Sequence, residues 1–145
     1  MNRSIEGSLV TDVIIETFKL GGALVTEGDR MCAPLGLTSA RWKVLGALMY
    51  SDQPLTVSQI ARNMGLTRQA VQTLVNGLCD TGLIELLENP DHKRAKLAEL
   101  TSEGKSVYQQ MESIQIPWAN QLGSLVSQDD LEATLRTLRT LSSAL

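Results

Sequence analysis

Aromatic side chains are scarce in this chain, with one Phe, two Trp and two Tyr among 145 residues. A core must therefore be assembled from Leu, Val, Ile, Ala and Met. Cysteine is almost absent too. Cys32 and Cys79 stand alone, without a Cys-x-x-Cys or Cys/His cluster, which excludes a zinc site of ordinary spacing and argues against a structural disulfide. There is one histidine, no glycine-rich phosphate loop and no acid/base pair at motif spacing, so an enzyme reading has nothing to stand on and no cofactor is expected. No run of eighteen uncharged apolar residues exists, and Met1 to Glu6 lacks the apolar segment of a secretory signal. These absences predict a cytoplasmic protein with no membrane partner. Internal repeats and low-complexity stretches are missing as well. What remains is 43% hydrophobic and 20% charged, the profile of an ordinary globular domain.

The net charge of -3 is unevenly spread. Between residues 41 and 96 the bases Arg41, Lys43, Arg62, Arg68, Lys93, Arg94 and Lys96 outnumber the acids Asp52, Asp80, Glu85, Glu88 and Asp91. The flanks carry the acidic excess. A mildly basic centre between acidic ends fits a DNA-reading module on an acidic scaffold, and the small margin makes this weak support.

Apolar residues at helical spacing predict a long first helix over about Ile5 to Met31, with Gly21-Gly22 as a place for a kink or a close crossing. Thr38 can cap a second helix to about Met49 that buries Trp42, Leu45, Leu48 and Met49. Two short helices follow. Thr56 caps the first, Val57 to Met64, with Ile60 and Ala61 inward; Gly65 supplies a left-handed turn, Leu66 plugs the gap, and Thr67 caps the second, Arg68 to Cys79. In that second helix Ala70, Val71, Leu74, Val75 and Leu78 form a core-facing stripe, and Arg68, Gln69, Gln72, Thr73 and Asn76 occupy the opposite face.

Leu83 to Leu87 and Ala95 to Leu100 read as a hairpin around the polar tip Glu88 to Arg94, where Pro90 is tolerated. Thr101 then caps a helix to about Ile114 that Pro117 breaks or kinks. Ser127 opens a last helix whose Leu131, Leu135, Leu138, Leu141 and Leu145 form either a dimerisation seam or a packing face. The fold class is thus mainly α with a small β-hairpin wing, a winged helix-turn-helix. Residues 36–100 form the DNA-binding lobe; 1–35 and 101–145 form a helical dimerisation region.

Two short capped helices, a glycine turn and a polar outer face suit entry into the major groove of duplex DNA. Arg68 can pair with guanine or a phosphate, Gln69 and Gln72 can read adenine or touch backbone, and Thr73 and Asn76 suit either kind of contact. Lys93 and Arg94 at the hairpin tip can reach phosphates or the minor groove. Each of these side chains is otherwise a plain solvated residue, a reading that weighs more for Gln69, Thr73 and Asn76 than for Arg68 and Arg94. Arg41 and Lys43 are only possible phosphate contacts. His92 suits a phosphate contact or plain exposure.

From Gly36 to Gly104 the chain resembles the MarR family of bacterial transcription regulators. The ordered landmarks are Gly36-Leu37-Thr38, Trp42 with Val44-Leu45, Leu55-Thr56-Val57 with Ile60-Ala61, Leu66 to Val71, Gly82-Leu83-Ile84, Asn89 to Ala95, and Leu100-Thr101-x-x-Gly104. The resemblance implies a homodimer with intertwined terminal helices, a palindromic operator, and repression relieved by a small, mostly apolar effector. Members commonly carry Arg where Thr73 and Gly77 stand, and many carry Asp at the position of His92, where it orients the following Arg; Asp91 is adjacent. Affinity is then expected to be modest and to lean on the wing. Two other readings stay open: a winged-helix protein-interaction module, motivated by the low charge of the second helix, and a thiol redox sensor using Cys32 or Cys79.

Overall fold

The computed structural model describes residues 2–145. It contains α1 (Ile5–Cys32), a 3-10 turn (Ala33–Leu35), α2 (Ser39–Met49), β1 (Leu55–Thr56), α3 (Val57–Met64), α4 (Arg68–Asp80), β2 (Ile84–Leu87), β3 (Leu97–Leu100), α5 (Ser102–Gly123) and α6 (Gln128–Ser143). Residues cluster into two compact units, Met1–Met111 and Glu112–Leu145.

In the first unit, Val44, Leu45, Ile60, Val71, Val75, Leu78 and Met111 are almost wholly shielded from solvent and form the core under the helix-turn-helix. The expected inward residues Leu45, Leu48, Ile60 and Ala61 are buried, while Trp42 and Met49 are half-buried and Val44 takes their share of the core. The sheet has the order β1-β3-β2, all antiparallel, with Leu55 opposite Ala98 and Ile84 opposite Leu100. The two-residue strand β1 was not foreseen. Its two residues are too few for a period-2 pattern.

Local chemistry explains the helix boundaries. Thr56 and Gln59 form a reciprocal capping box on α3, and Thr67 Oγ1 accepts the Ala70 N–H at 3.1 Å to start α4. Between them Gly65 has φ +65°, and the Leu66 N–H reaches back to the Ala61 carbonyl at 3.0 Å. An L side chain at position 65 would strain this turn.

Three expectations change. Leu66 is 43% exposed rather than a plug, because the turn directs it outward, and Ala70 lies on the exposed part of α4. Pro117 lies inside α5 and does not break it, so of the two expected effects only a kink is left open: proline removes one ladder N–H, and the helix continues beyond it.

The 28 residues of α1 span about 42 Å. Its buried residues, Gly28, Met31 and Cys32, are all at the C-terminal end. That end is fastened to α2: the Asp29 carboxylate accepts the Ser39 N–H at 2.7 Å, and a Cβ at Gly28 would lie 2.9 Å from Ser39 Cβ. Upstream, Ile5, Leu9, Ile14, Ile15, Phe18 and Leu20 are exposed. In the second unit, Ser127 caps α6 through the Asp130 N–H, and Leu122, Leu125, Val126, Leu131 and Leu135 are exposed. No helix among the described residues is long and apolar enough to cross a membrane.

Candidate nucleic-acid interface

The helix α4 is amphipathic in the expected sense. Val71, Val75 and Leu78 are buried, and Arg68, Gln69, Gln72, Thr73 and Asn76 are exposed. At about 3.6 residues per turn, Arg68 and Gln72 fall on one edge of this polar face and Thr73 and Gly77 on the other. Gln72 Nε2 donates to Asn76 Oδ1 at 2.8 Å, and Thr73 Oγ1 donates to the Gln69 carbonyl at 3.1 Å. These bonds hold the polar side chains against the helix before any ligand arrives.

An open groove of about 520 Å³ separates the Arg68 edge from the wing. Its lining includes Arg68, Gln69 and Gln72 from α4, Thr56 and Ser58 near the start of α3, and Arg94 and Lys96 from the wing. Three cations and no carboxylate line it, so it is a concentrated positive site on an acidic chain. The structure therefore brings Arg68, Gln69, Gln72 and Arg94 together. Thr73, Asn76 and Lys93 lie outside this lining, on the exposed face of α4 and at the wing tip. Lys96 and Ser58 were missed by the sequence reading. Lys96 carried a signal, as a base directly after the tip, but its place beside α4 depends on where β3 begins.

The wing is organised by its own polar residues. Asn89 Nδ2 donates to the Ala95 carbonyl at 2.9 Å, and Asn89 Oδ1 accepts the Asp91 N–H at 3.0 Å. His92 Nδ1 accepts the backbone N–H groups of Arg94 and Ala95 at 3.3 and 3.2 Å. Thus His92, and not Asp91, supplies the acceptor that fixes the backbone at Arg94. At the base of the wing, Thr101 Oγ1 donates to the Gly82 carbonyl at 2.7 Å and accepts the Gly104 N–H at 3.0 Å.

Neither thiol is activated. Burial, then the Asp29 charge, pushes the Cys32 thiol up, and burial with Asp80 does the same to Cys79. Both shifts lower the thiolate fraction that oxidation requires. Among the described residues no cluster of three or more His, Cys, Asp or Glu could hold a metal ion.

A family model described as MarR family matches residues 35–95, the segment holding every residue of this groove except Lys96. The chain belongs to the MarR family. It is a transcriptional regulator with a winged helix-turn-helix, and MarR proteins are regulators rather than enzymes. An uncharacterised protein of Mycobacterium tuberculosis is 39% identical over 94% of each chain. A second protein of that organism, an HTH-type transcriptional repressor, is 28% identical over 67% of this chain and 69% of its own. Among solved structures, the Staphylococcus aureus MepR–DNA complex superposes with a TM-score of 0.81 at 23% identity, covering 90% of this chain and 96% of that one. CouR of Rhodococcus jostii RHA1, bound to p-coumaroyl-CoA, gives 0.80 at 20%, covering 92% and 93%.

Proposed function

We propose that this MarR regulator binds duplex DNA sequence-specifically as a homodimer, with α4 in the major groove and the wing against the backbone. The observation that carries the reading is the carboxylate-free groove joining Arg68, Gln69 and Gln72 to Arg94 and Lys96. Arg68, Arg94, Lys93 and Lys96 neutralise phosphates; Gln69, Gln72, Thr73 and Asn76 face the base edges. MepR, a protein of the same fold, is known bound to DNA, which supports this use of the fold.

Dimerisation follows from α1. A helix whose upstream three-quarters buries nothing is marginal in water, and its row of exposed Ile, Leu and Phe needs a partner surface. A second copy of the chain supplies one by two-fold symmetry, and α6 in its own unit offers further exposed leucines. In domain terms, residues 36–100 read DNA while 1–35 and 101–145 hold the dimer together. Repression follows from operator occupancy, as in the repressor-named relative. Release follows from a small, mostly apolar effector that favours a dimer with wrongly spaced recognition helices; p-coumaroyl-CoA on CouR supports ligand binding by this fold, although its coenzyme A part is large and polyanionic.

Selection of binding sites from a random duplex pool, with sedimentation to give the oligomeric state, tests this function. The expected product is an inverted repeat with half-sites about 10 bp apart, or a multiple of that, bound by a dimer. A monomer, or a pool without enrichment, would reject it.

A further inference from the structure

The polar face of α4 has two edges, and the groove described above accounts for only one. On the other edge Gly77 has no side chain, and the space beside it is filled from a different helix. A Cβ at Gly77 would lie 2.6 Å from Arg41 Nη2, 3.2 Å from Cζ and 3.6 Å from Nε. The guanidinium of α2's Arg41 therefore lies directly across the backbone of the recognition helix, on the same edge as Thr73. Arg41 is half-buried, with its guanidinium seated against Gly77, yet among the described residues that guanidinium has no hydrogen-bonding or ion-pairing partner. A cation packed in place with its donors unspent is preorganised for an anion.

We propose that Arg41, seated across Gly77, is a phosphate-binding residue of the DNA interface. It grips the backbone on the wall of the major groove opposite the one held by the wing. This rests on α4 being the DNA-reading helix, as proposed above. The major groove is about 12 Å wide and walled by one backbone on each side. A helix lying in it presents one edge to each strand. Arg68, Arg94 and Lys96 serve the first edge. Thr73 and Gly77 offer no charge to the second, and Arg41 supplies it from outside the helix. Glycine is a poor helix former in an interior position, and here it is the residue that leaves room for the guanidinium.

The test is fluorescence anisotropy with a random-sequence duplex over a range of salt, comparing the parent, Arg41→Ala, Gly77→Ala and the double variant. Arg41→Ala should bind about five- to tenfold more weakly near physiological salt, with the log–log salt slope shallower by about one per subunit bound. Gly77→Ala should fold at least as stably, because only the flexible end of Arg41 must move, and still bind more weakly. In the Arg41→Ala background, Gly77→Ala should change nothing further. If the parent binds but Arg41→Ala keeps the parent's affinity and slope, the assignment to Arg41 is wrong while the DNA-binding reading stands. If Gly77→Ala weakens binding equally with and without Arg41, the coupling is also wrong. A parent that does not bind overturns both.

Discussion

Asp29 near the end of α1 and Ser39 at the start of α2 are joined by a 2.7 Å hydrogen bond from the Ser39 N–H to the Asp29 carboxylate. It is an N-terminal contact in chemical terms: the carboxylate meets an orphan amide at the positive end of α2. It ties the helix proposed to dimerise to the lobe proposed to read DNA. Bonding from Ser39, with a smaller contribution from Lys43, holds the Asp29 carboxyl below its ordinary range.

The sign of the pH dependence follows. A carboxyl whose pKa is depressed by folding stabilises the folded state above its unfolded pKa, about 3.9, and that contribution disappears as the pH falls through the lower folded value. Asp29→Asn should therefore melt below the parent at neutral pH, and the two melting curves should converge as the solution is acidified below about 4. A melting difference independent of pH would mean the charge of Asp29 contributes nothing.

Gly28 is the companion of this contact. A Cβ there would come within 2.9 Å of Ser39 Cβ, an atom next to the backbone that cannot swing aside. Gly28→Ala should part α1 from α2 and cost about 1–3 kcal/mol, read from the denaturant midpoint at unchanged slope.

The wing depends on Asn89 and His92 for its shape. Asn89→Ala removes the bonds to Ala95 and Asp91 and should cost about 1 kcal/mol of local stability. Hydrogen exchange should accelerate for the wing amides alone. His92→Asp keeps an acceptor facing the Arg94 N–H and should retain DNA binding better than His92→Ala does.

Charge and base contacts should separate by experiment. Arg94→Ala should weaken binding to every duplex about five- to tenfold near physiological salt. Gln72→Ala should instead relax preference at one base pair, worth about 1–3 kcal/mol of discrimination. Equal affinity of Arg94→Ala and parent would show that the wing carries no grip.

The helix-turn-helix was legible in the sequence because each boundary is set by neighbours: Thr56 with Gln59, Gly65 with Leu66, Thr67 with Ala70. The exposed face of α4 was legible from helical period alone. What the sequence hid depends on contacts between distant segments. The pairing of Leu55 with Ala98 created a strand too short to have a pattern. The placing of Lys96 in the same groove as Gln72 and of Arg41 over Gly77 depends on packing between elements. The reading of Pro117 as a break failed for a different reason, since one lost amide does not end a helix that packing or partners support. His92 was legible as a wing residue, but its role as a backbone acceptor comes from the loop's curvature.

The central claim is that the face made by α4 and the wing binds duplex DNA. Anisotropy titration of the unmodified protein against a random-sequence duplex, repeated at rising salt, tests it most directly. Binding is expected at low salt and should weaken linearly on a log–log plot, with a slope equal to several phosphates neutralised. No binding at micromolar protein in low salt would contradict it and leave a winged-helix module that recognises another protein.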